Sequence, residues 1–159
     1  MASAPDCSFV VAWHSNGPGS TGFDIWHRRF DAKGVALANE ALVNRITAQD
    51  QRFPAVTTLP LGGYQIGWQT QGEDEDGLAV KMVQYDKSGT WSALEWLPNR
   101  TTAKDQSAPA LIGRNNGMWA VAWTSIAQDG DLGGIARYQL RAAGVVGVSR
   151  YAGCCHAEP

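Results

Sequence analysis

The sequence has few of the features that mark a nucleic-acid-binding or membrane protein. Its 13 lysines and arginines are dispersed among 159 residues that also include 15 acidic ones, so no basic stripe is available for a phosphate backbone. No segment approaches the roughly 18 consecutive apolar residues of a membrane span, and residues 1–6 lack the apolar region of a signal peptide. We therefore predict a soluble domain with no nucleic-acid partner and no membrane insertion.

Histidine and cysteine are also scarce, with three of each. The histidines are His14, His27 and His156. Because they occupy unrelated positions in the repeat described below, neither a Ser-His-Asp triad nor a His-rich metal site can be placed. Cys7 lies near one terminus, and Cys154 and Cys155 lie near the other. A disulfide from Cys7 to either of them would leave one thiol for an intermolecular bond.

No segment carries a sustained apolar stripe at helical spacing with caps, so little helix is expected. The sequence instead contains 18 glycines, 7 prolines and 7 tryptophans. That combination favours an all-β protein rich in turns.

The chain repeats with a period of 55 residues, and no gap is needed between the landmarks that define it. Two residues recur in all three copies: the tryptophans 13, 68 and 123, and the glycines 34, 89 and 144. The first two copies share further pairs, among them Gly22 and Gly77, Asp31 and Asp86, Asp50 and Asp105, Gln51 and Gln106.

Each copy can be divided into four strands separated by turn residues. In the first copy only the last three are given below, because Met1 is equivalent to Val56 and so falls inside the opening strand. The predicted strands are 9–13, 25–30 and 36–43 in the first copy, 54–59, 64–68, 80–85 and 91–97 in the second, and 109–112, 119–123, 135–140 and 145–151 in the third. Tight turns at 31–34 and 86–89, each an Asp followed by Gly, end the third strand. The tryptophans at 13, 68 and 123 are expected to be core residues.

Repeated four-stranded units of this length are typical of β-propeller blades, which need a neighbour on each side. We predict blades at about 1–52, 53–107 and 108–159. Three blades cannot close a ring, so we predict self-association, with a homodimer supplying six blades. A β-trefoil, which also has three four-stranded repeats, is the alternative fold.

The residues of the second copy resemble tandem repeats of large secreted bacterial proteins that form propeller blades. The resemblance is carried by 50–56, 59–68, 85–89, Glu95 and 99–106. Short chains of such units also resemble small propeller lectins, which assemble rings and bind sugars between blades. The resemblance favours an extracellular location. The third copy departs from the pattern, with Arg141 for the aspartate, Arg150 for the glutamate and Cys154 for the asparagine, so a site there should be altered or absent.

Three tryptophans stand at positions where the other copies carry different residues, which a core position would tolerate poorly. They are Trp26, Trp91 and Trp96. An exposed aromatic ring can stack on the apolar face of a pyranose while polar neighbours bond its hydroxyls. We predict these tryptophans as sugar platforms.

The connector between blades supplies the polar candidates, and it recurs in two copies. Its predicted ligand-binding residues are Asn44, Arg45, Asp50 and Gln51 in the first, and Asn99, Arg100, Asp105 and Gln106 in the second. The same side chains can instead satisfy backbone groups of the turn.

Acidic loops offer oxygen ligands of the kind that Ca²⁺ takes, at Asp74 and Asp76 and again at Asp129 and Asp131. A solvated acidic turn explains them as well, so no cofactor is predicted. The sequence thus favours a noncatalytic, multivalent carbohydrate-binding protein whose partners are glycans. The alternatives are a structural or adhesion repeat without a ligand and a glycosidase-like propeller enzyme.

Overall fold

A computed structural model describes residues 1–17, 21–74, 76–98, 102–114 and 116–126, and the backbone of 134–140. This part of the chain contains strands and no helix, so it holds no helix long and apolar enough to cross a membrane. The strands are β1 Ala2–Ser3, β2 Phe9–Ser15, β3 Asp24–Phe30, β4 Ala41–Leu42, β5 Gln51–Thr58, β6 Tyr64–Gln71, β7 Leu78–Tyr85, β8 Trp91–Trp96, β9 Gln106–Gly113, β10 Trp119–Ser125 and β11 Gly134–Leu140.

The strands form three antiparallel sheets in chain order. Sheet 1 is β1 to β4, sheet 2 is β5 to β8, and sheet 3 is β9 to β11. Each sheet is a simple meander, since every strand pairs with its neighbours in sequence. The all-β, blade-type fold is confirmed, and the ring is not closed in this chain. Three separate sheets that pack face to face are not the architecture of a β-trefoil, so the alternative fold is excluded.

The strand that opens each repeat begins three residues earlier than predicted, at Gln51 and at Gln106. A β-bulge between Arg52 and Ala55 interrupts its pairing with β6, and Pro54 lies within that bulge, where no ladder donor is required. The bulge was missed because the proline marks a strand start by the usual rules.

The last strand of the first copy is shorter than the predicted 36–43. Only Ala41–Leu42 and an isolated bridge from Ala36 to Phe30 pair with β3. Between them the carbonyl of Ala38 accepts a hydrogen bond from Arg28 Nε at 3.0 Å, so a side chain takes the place of a ladder bond. The predicted strand 145–151 lies outside the described residues.

The two Asp-to-Gly turns form as predicted. Asp86 Oδ1 accepts the backbone N–H groups of Ser88 and Thr90 at 2.8 and 3.0 Å, and Gly89 adopts a φ of 83° that suits glycine. Asp31 makes the same turn in the first copy. These turns fix the register of the third and fourth strands.

Sheet 2 is buried on both faces, because sheet 1 packs on one side and sheet 3 on the other. The first core cluster joins Val10, Ile25 and Val43 of the first copy to residues including Ile66 and Trp68 of sheet 2. The second joins Val80 and Met82 of sheet 2 to residues 119, 121 and 123 of sheet 3. Trp68 and Trp123 are therefore core residues, as predicted, whereas Trp13 is only half-buried.

Candidate functional site

The first connector, residues 43–50, links sheet 1 to sheet 2, and its asparagine is a structural residue. Asn44 is 2% exposed. Its Oδ1 accepts the backbone N–H of Ile25 at 2.7 Å, and its amide donates to Asp24 and to the carbonyl of Ile46. Asn44 therefore satisfies groups of the turn and of β3, and its contact with a ligand stays a prediction.

The two predicted glutamines are also buried. Gln51 and Gln106 are both fully shielded from solvent. Their amides donate to backbone carbonyls of the preceding connector, Gln51 to Ala48 and Gln106 to Ala103. These buried glutamines therefore hold the connector in the structure, and their contact with a ligand stays a prediction.

Asp50 and Asp105 each fix the loop that follows the second strand of the blade. Asp50 Oδ1 accepts the N–H of Phe23 at 3.0 Å, and Asp105 Oδ1 accepts that of Leu78 at 3.0 Å. The backbone hydrogen bond from Phe23 holds the pKa of Asp50 below its ordinary value, so this carboxylate stays charged.

Asp50 differs from Asp105 in what surrounds it. Arg52 donates from Nε to Asp50 Oδ2 at 3.0 Å, and its Nη2 lies 2.8 Å from the same oxygen. The guanidinium lies over the ring of Phe23, 3.9 Å from the centroid. Because the Nε and Nη2 edge is paired with Asp50, the Nη1 edge is turned away from the carboxylate.

An exposed aromatic ring completes this cluster. Phe53 is 54% exposed and follows Arg52 in the bulge, with a φ of 53°. His14 lies between the two phenylalanines, with ring centroids 5.3 Å from Phe23 and 5.7 Å from Phe53. We name the five residues His14, Phe23, Asp50, Arg52 and Phe53 the Phe53 cluster.

The Phe53 cluster occurs at one of the two described junctions, although the scaffold beneath it occurs at both. The positive φ at residue 53 recurs at Ala108, with a φ of 50°. Fifty-five residues after His14, Phe23, Arg52 and Phe53 stand Gln69, Leu78, Ser107 and Ala108. The bulge is thus common to both described junctions, whereas the aromatic and charged side chains occur at one of the two.

A second pair of predicted residues meets at the same junction. Arg45 places its guanidinium 5.4 Å from the ring centroid of Trp91, which is 38% exposed. The backbone N–H of Arg45 donates to Glu95 at 2.6 Å, which ties the connector to β8. The structure therefore brings Arg45 and Trp91 together, as an aromatic platform with a cation above it.

The remaining predicted tryptophans have structural surroundings. Trp96 packs against the second core cluster and lies 6.1 Å from Trp119, centroid to centroid, so it is not a free platform. Trp26 is half-buried on the side of sheet 1 that faces away from sheet 2. Asn99 and Arg100 lie outside the described residues.

A buried charge cluster lies beside the Arg45–Trp91 pair. Lys81 Nζ bonds to Glu73 and, at 3.1 Å, to Glu95, and all three side chains are at most 11% exposed. Thr70 donates to the other oxygen of Glu73. Because both carboxylates are engaged, neither is a free acid or base.

The acidic loops and cysteines give no site in the described residues. No group of three or more His, Cys, Asp or Glu that could hold a metal ion occurs there. Asp76 accepts the backbone N–H of Lys104 at 3.0 Å, and Asp74 is buried. Cys7 is exposed and forms no disulfide with any residue that the structure describes. Asp129, Asp131, Cys154 and Cys155 fall outside the described residues.

A cleft of about 770 Å³ opens at the opposite end of the same junction. Its polar groups are committed to the protein: Asp31 holds its own turn, and Arg29 donates to the carbonyl of Lys87 at 2.6 Å. A ligand there would find few unengaged donors, so the Phe53 cluster is the stronger candidate.

Sequence reasoning found Asp50 but missed His14, Phe23, Arg52 and Phe53. The available signal was the difference between equivalent positions. Each of these four residues is charged or aromatic, whereas the residue 55 positions later is polar, aliphatic or small.

No protein-family profile matches this chain, and no curated protein matches it. Among solved structures, the chain is similar to the crystal structure of a thermostable family-43 glycoside hydrolase, with a TM-score of 0.58 and 10% sequence identity. The alignment covers 94% of this chain and 57% of that one, so the chain spans little more than half the length of that structure. At this identity the likeness shows the fold alone, and that fold is a β-propeller.

Proposed function

We propose that this chain is a noncatalytic carbohydrate-binding protein that takes a pyranose ring at the Phe53 cluster. The observation that carries the proposal is the exposed Phe53 ring beside a guanidinium that Asp50 holds in place. Sugar sites combine an aromatic face for the C–H side of the ring with fixed polar groups for the hydroxyls.

The geometry supports binding by preorganisation. Asp50 is fixed by the backbone of Phe23, and it fixes Arg52 in turn. A ligand hydroxyl therefore meets donors whose conformational entropy has already been lost on folding. The Arg45–Trp91 pair is a separate aromatic surface of this junction, because Trp91 lies on β8 at one edge of sheet 2 and Phe53 lies on β5 at the other.

The aspartate of the cluster is poorly suited to acid catalysis. Its pKa is lowered by the backbone hydrogen bond from Phe23, so it does not carry a proton at neutral pH. A glycosidase-like enzyme would therefore need its general acid elsewhere in the chain.

The test is glycan-array binding of the full chain and of two variants. Phe53→Ala should abolish binding without loss of folding, because the ring is exposed. Leu61→Ala is the matched control, since Leu61 is 90% exposed on the opposite end of the sheets. Equal binding by Phe53→Ala would place the ligand elsewhere, absence of binding to any glycan would favour the structural-repeat alternative, and hydrolysis of aryl glycosides would favour the enzyme.

A further inference from the structure

Sheet 1 presents an aromatic surface on the side away from sheet 2. Directly opposite residues of antiparallel strands share a face, so the register of β2 and β3 pairs the residues of this side. The pairs are Phe9 with Phe30, Val11 with Arg28, and Trp13 with Trp26. We name these six residues the open face. The other side of the same strands carries Val10 and Ile25 of the first core cluster.

The repeat shows what the open face is built for. Its equivalents, 55 residues later, face sheet 1 and are almost fully buried. They are Tyr64 2%, Ile66 0%, Trp68 0%, Lys81 9%, Val83 0% and Tyr85 2% exposed. The same surface in the first blade is only half-buried. In sheet 2 these large residues are covered by the facing side of sheet 1. We therefore expect the equivalent residues of sheet 1 to be covered by another sheet.

Sheet 3 presents the complementary surface. Its side away from sheet 2 carries small residues, Ala110, Ala120 and Ala122, around Ile112, which is 59% exposed. These residues border a shallow cavity of about 290 Å³. In the established contact between sheets 2 and 3, small residues meet large ones in the same way, since a Cβ at Gly67 would lie 2.9 Å from Leu111.

We propose that the open face of sheet 1 is covered by the alanine-lined side of sheet 3 of a second copy of this chain. The contact continues the stacking that joins sheets 1, 2 and 3, with large aromatics of one sheet against small residues of the next. Because the two surfaces differ, the contact is heterologous. Two copies that exchange it in both directions form a closed dimer with two identical interfaces.

The experiment measures the mass of the full chain in solution and of three variants. The unmodified chain should give twice its 17.1 kDa mass at micromolar concentration. Val11→Asp in the open face and Ile112→Asp in sheet 3 should each weaken the dimer by at least tenfold, because each modifies both interfaces. Leu61→Asp is the control and should leave the dimer intact.

Mixing the two interface variants distinguishes this arrangement from others. Each Val11→Asp chain keeps its sheet 3 surface and each Ile112→Asp chain keeps its open face, so a mixed pair retains one unmodified interface. Dimers should therefore reappear in the mixture. Acrylamide quenching of tryptophan fluorescence should fall as the unmodified chain is concentrated, because the dimer shields Trp13 and Trp26. This measurement does not depend on the folding of any variant.

Three outcomes overturn the proposal. A monomer at tens of micromolar would mean that a further part of a longer chain, or nothing, covers the open face. A dimer insensitive to Ile112→Asp would mean that two open faces meet symmetrically. Dissociation by Leu61→Asp would place the interface at the turn end of the sheets.

Discussion

The indole nitrogen of Trp68 donates a hydrogen bond of 3.0 Å to the side-chain oxygen of Gln51, and both side chains are fully buried. The bond joins the first two strands of the second blade across the β-bulge. The same glutamine donates to the carbonyl of Ala48. A single amide therefore ties the blade core to the connector that precedes it.

Gln51→Leu should destabilise the protein by about 1–3 kcal/mol, because it leaves the buried Trp68 N–H without an acceptor. Urea unfolding of Gln51→Leu, Trp68→Phe and the double variant measures the effect. The double variant should lose less than the sum of the two single losses, since both groups of the bond are then absent. Strict additivity would show that the bond contributes nothing.

Lys81→Met should destabilise the fold by about 3–5 kcal/mol, because two carboxylates remain buried without their cation. Adding Glu73→Gln and Glu95→Gln to Lys81→Met removes both charges and should recover much of the loss. Chemical denaturation of the single and triple variants gives the comparison. If the triple variant is no more stable than Lys81→Met, the cost does not arise from unpaired charge.

Stability should fall as the pH drops from 6.5 toward 4, because of His27. Burial, with a smaller contribution from Arg29, lowers the pKa of His27 from its ordinary 6.5 to about 4. The unfolded chain therefore binds the proton first, and the stabilisation is complete above pH 6.5 and lost below it. The ring packs against both Tyr64 and Tyr85, which stack on each other, and Tyr64 Oη is 3.2 Å from Nδ1.

Melting temperatures of the wild type and of His27→Phe between pH 4 and 7 test this assignment. The variant keeps an aromatic ring against the two tyrosines and lacks the titrating group, so its profile should be flatter in that interval. Parallel profiles would assign the acid sensitivity to another group.

Calorimetry with a saturating sugar should give one site per chain. The second connector retains Asp105 and Gln106, but Ser107 and Ala108 replace the guanidinium and the ring. Phe53→Ala should remove the binding heat, and Asp105→Ala should leave it unchanged. Two equal sites would mean that the ligand binds residues that both connectors share.

The sequence predicted the fold well because the signals were local and repeated. Alternation along residues 64–68 and the Asp-to-Gly turns specify strand and register wherever one face is buried, and the structure confirms both. The bulge at Phe53 could not be read, since a positive φ at an aromatic residue contradicts its usual preference. The shortened fourth strand of the first blade depends on Arg28 bonding to Ala38, which is a tertiary event.

The site was predicted less well, for a related reason. Asn44, Gln51 and Gln106 have the chemistry of ligand contacts, but burial decides their role, and burial depends on how neighbouring sheets stack. Trp96 was assigned to the surface from its absence in other copies, yet the junction with Trp119 needs a large ring there. The sequence did not predict that Arg45 and Trp91 meet, which follows in the structure from the junction between the connector and the following blade.

The bulge recurs at the second junction without the aromatic and charged side chains of the Phe53 cluster. Ala108 is exposed on a backbone that matches that of Phe53, and Asp105 already stands where Asp50 stands. Four substitutions, Gln69→His, Leu78→Phe, Ser107→Arg and Ala108→Phe, would transplant the whole side-chain set onto it. Under the proposed function these substitutions should add a second binding site, because Ala108 already has the positive φ of Phe53.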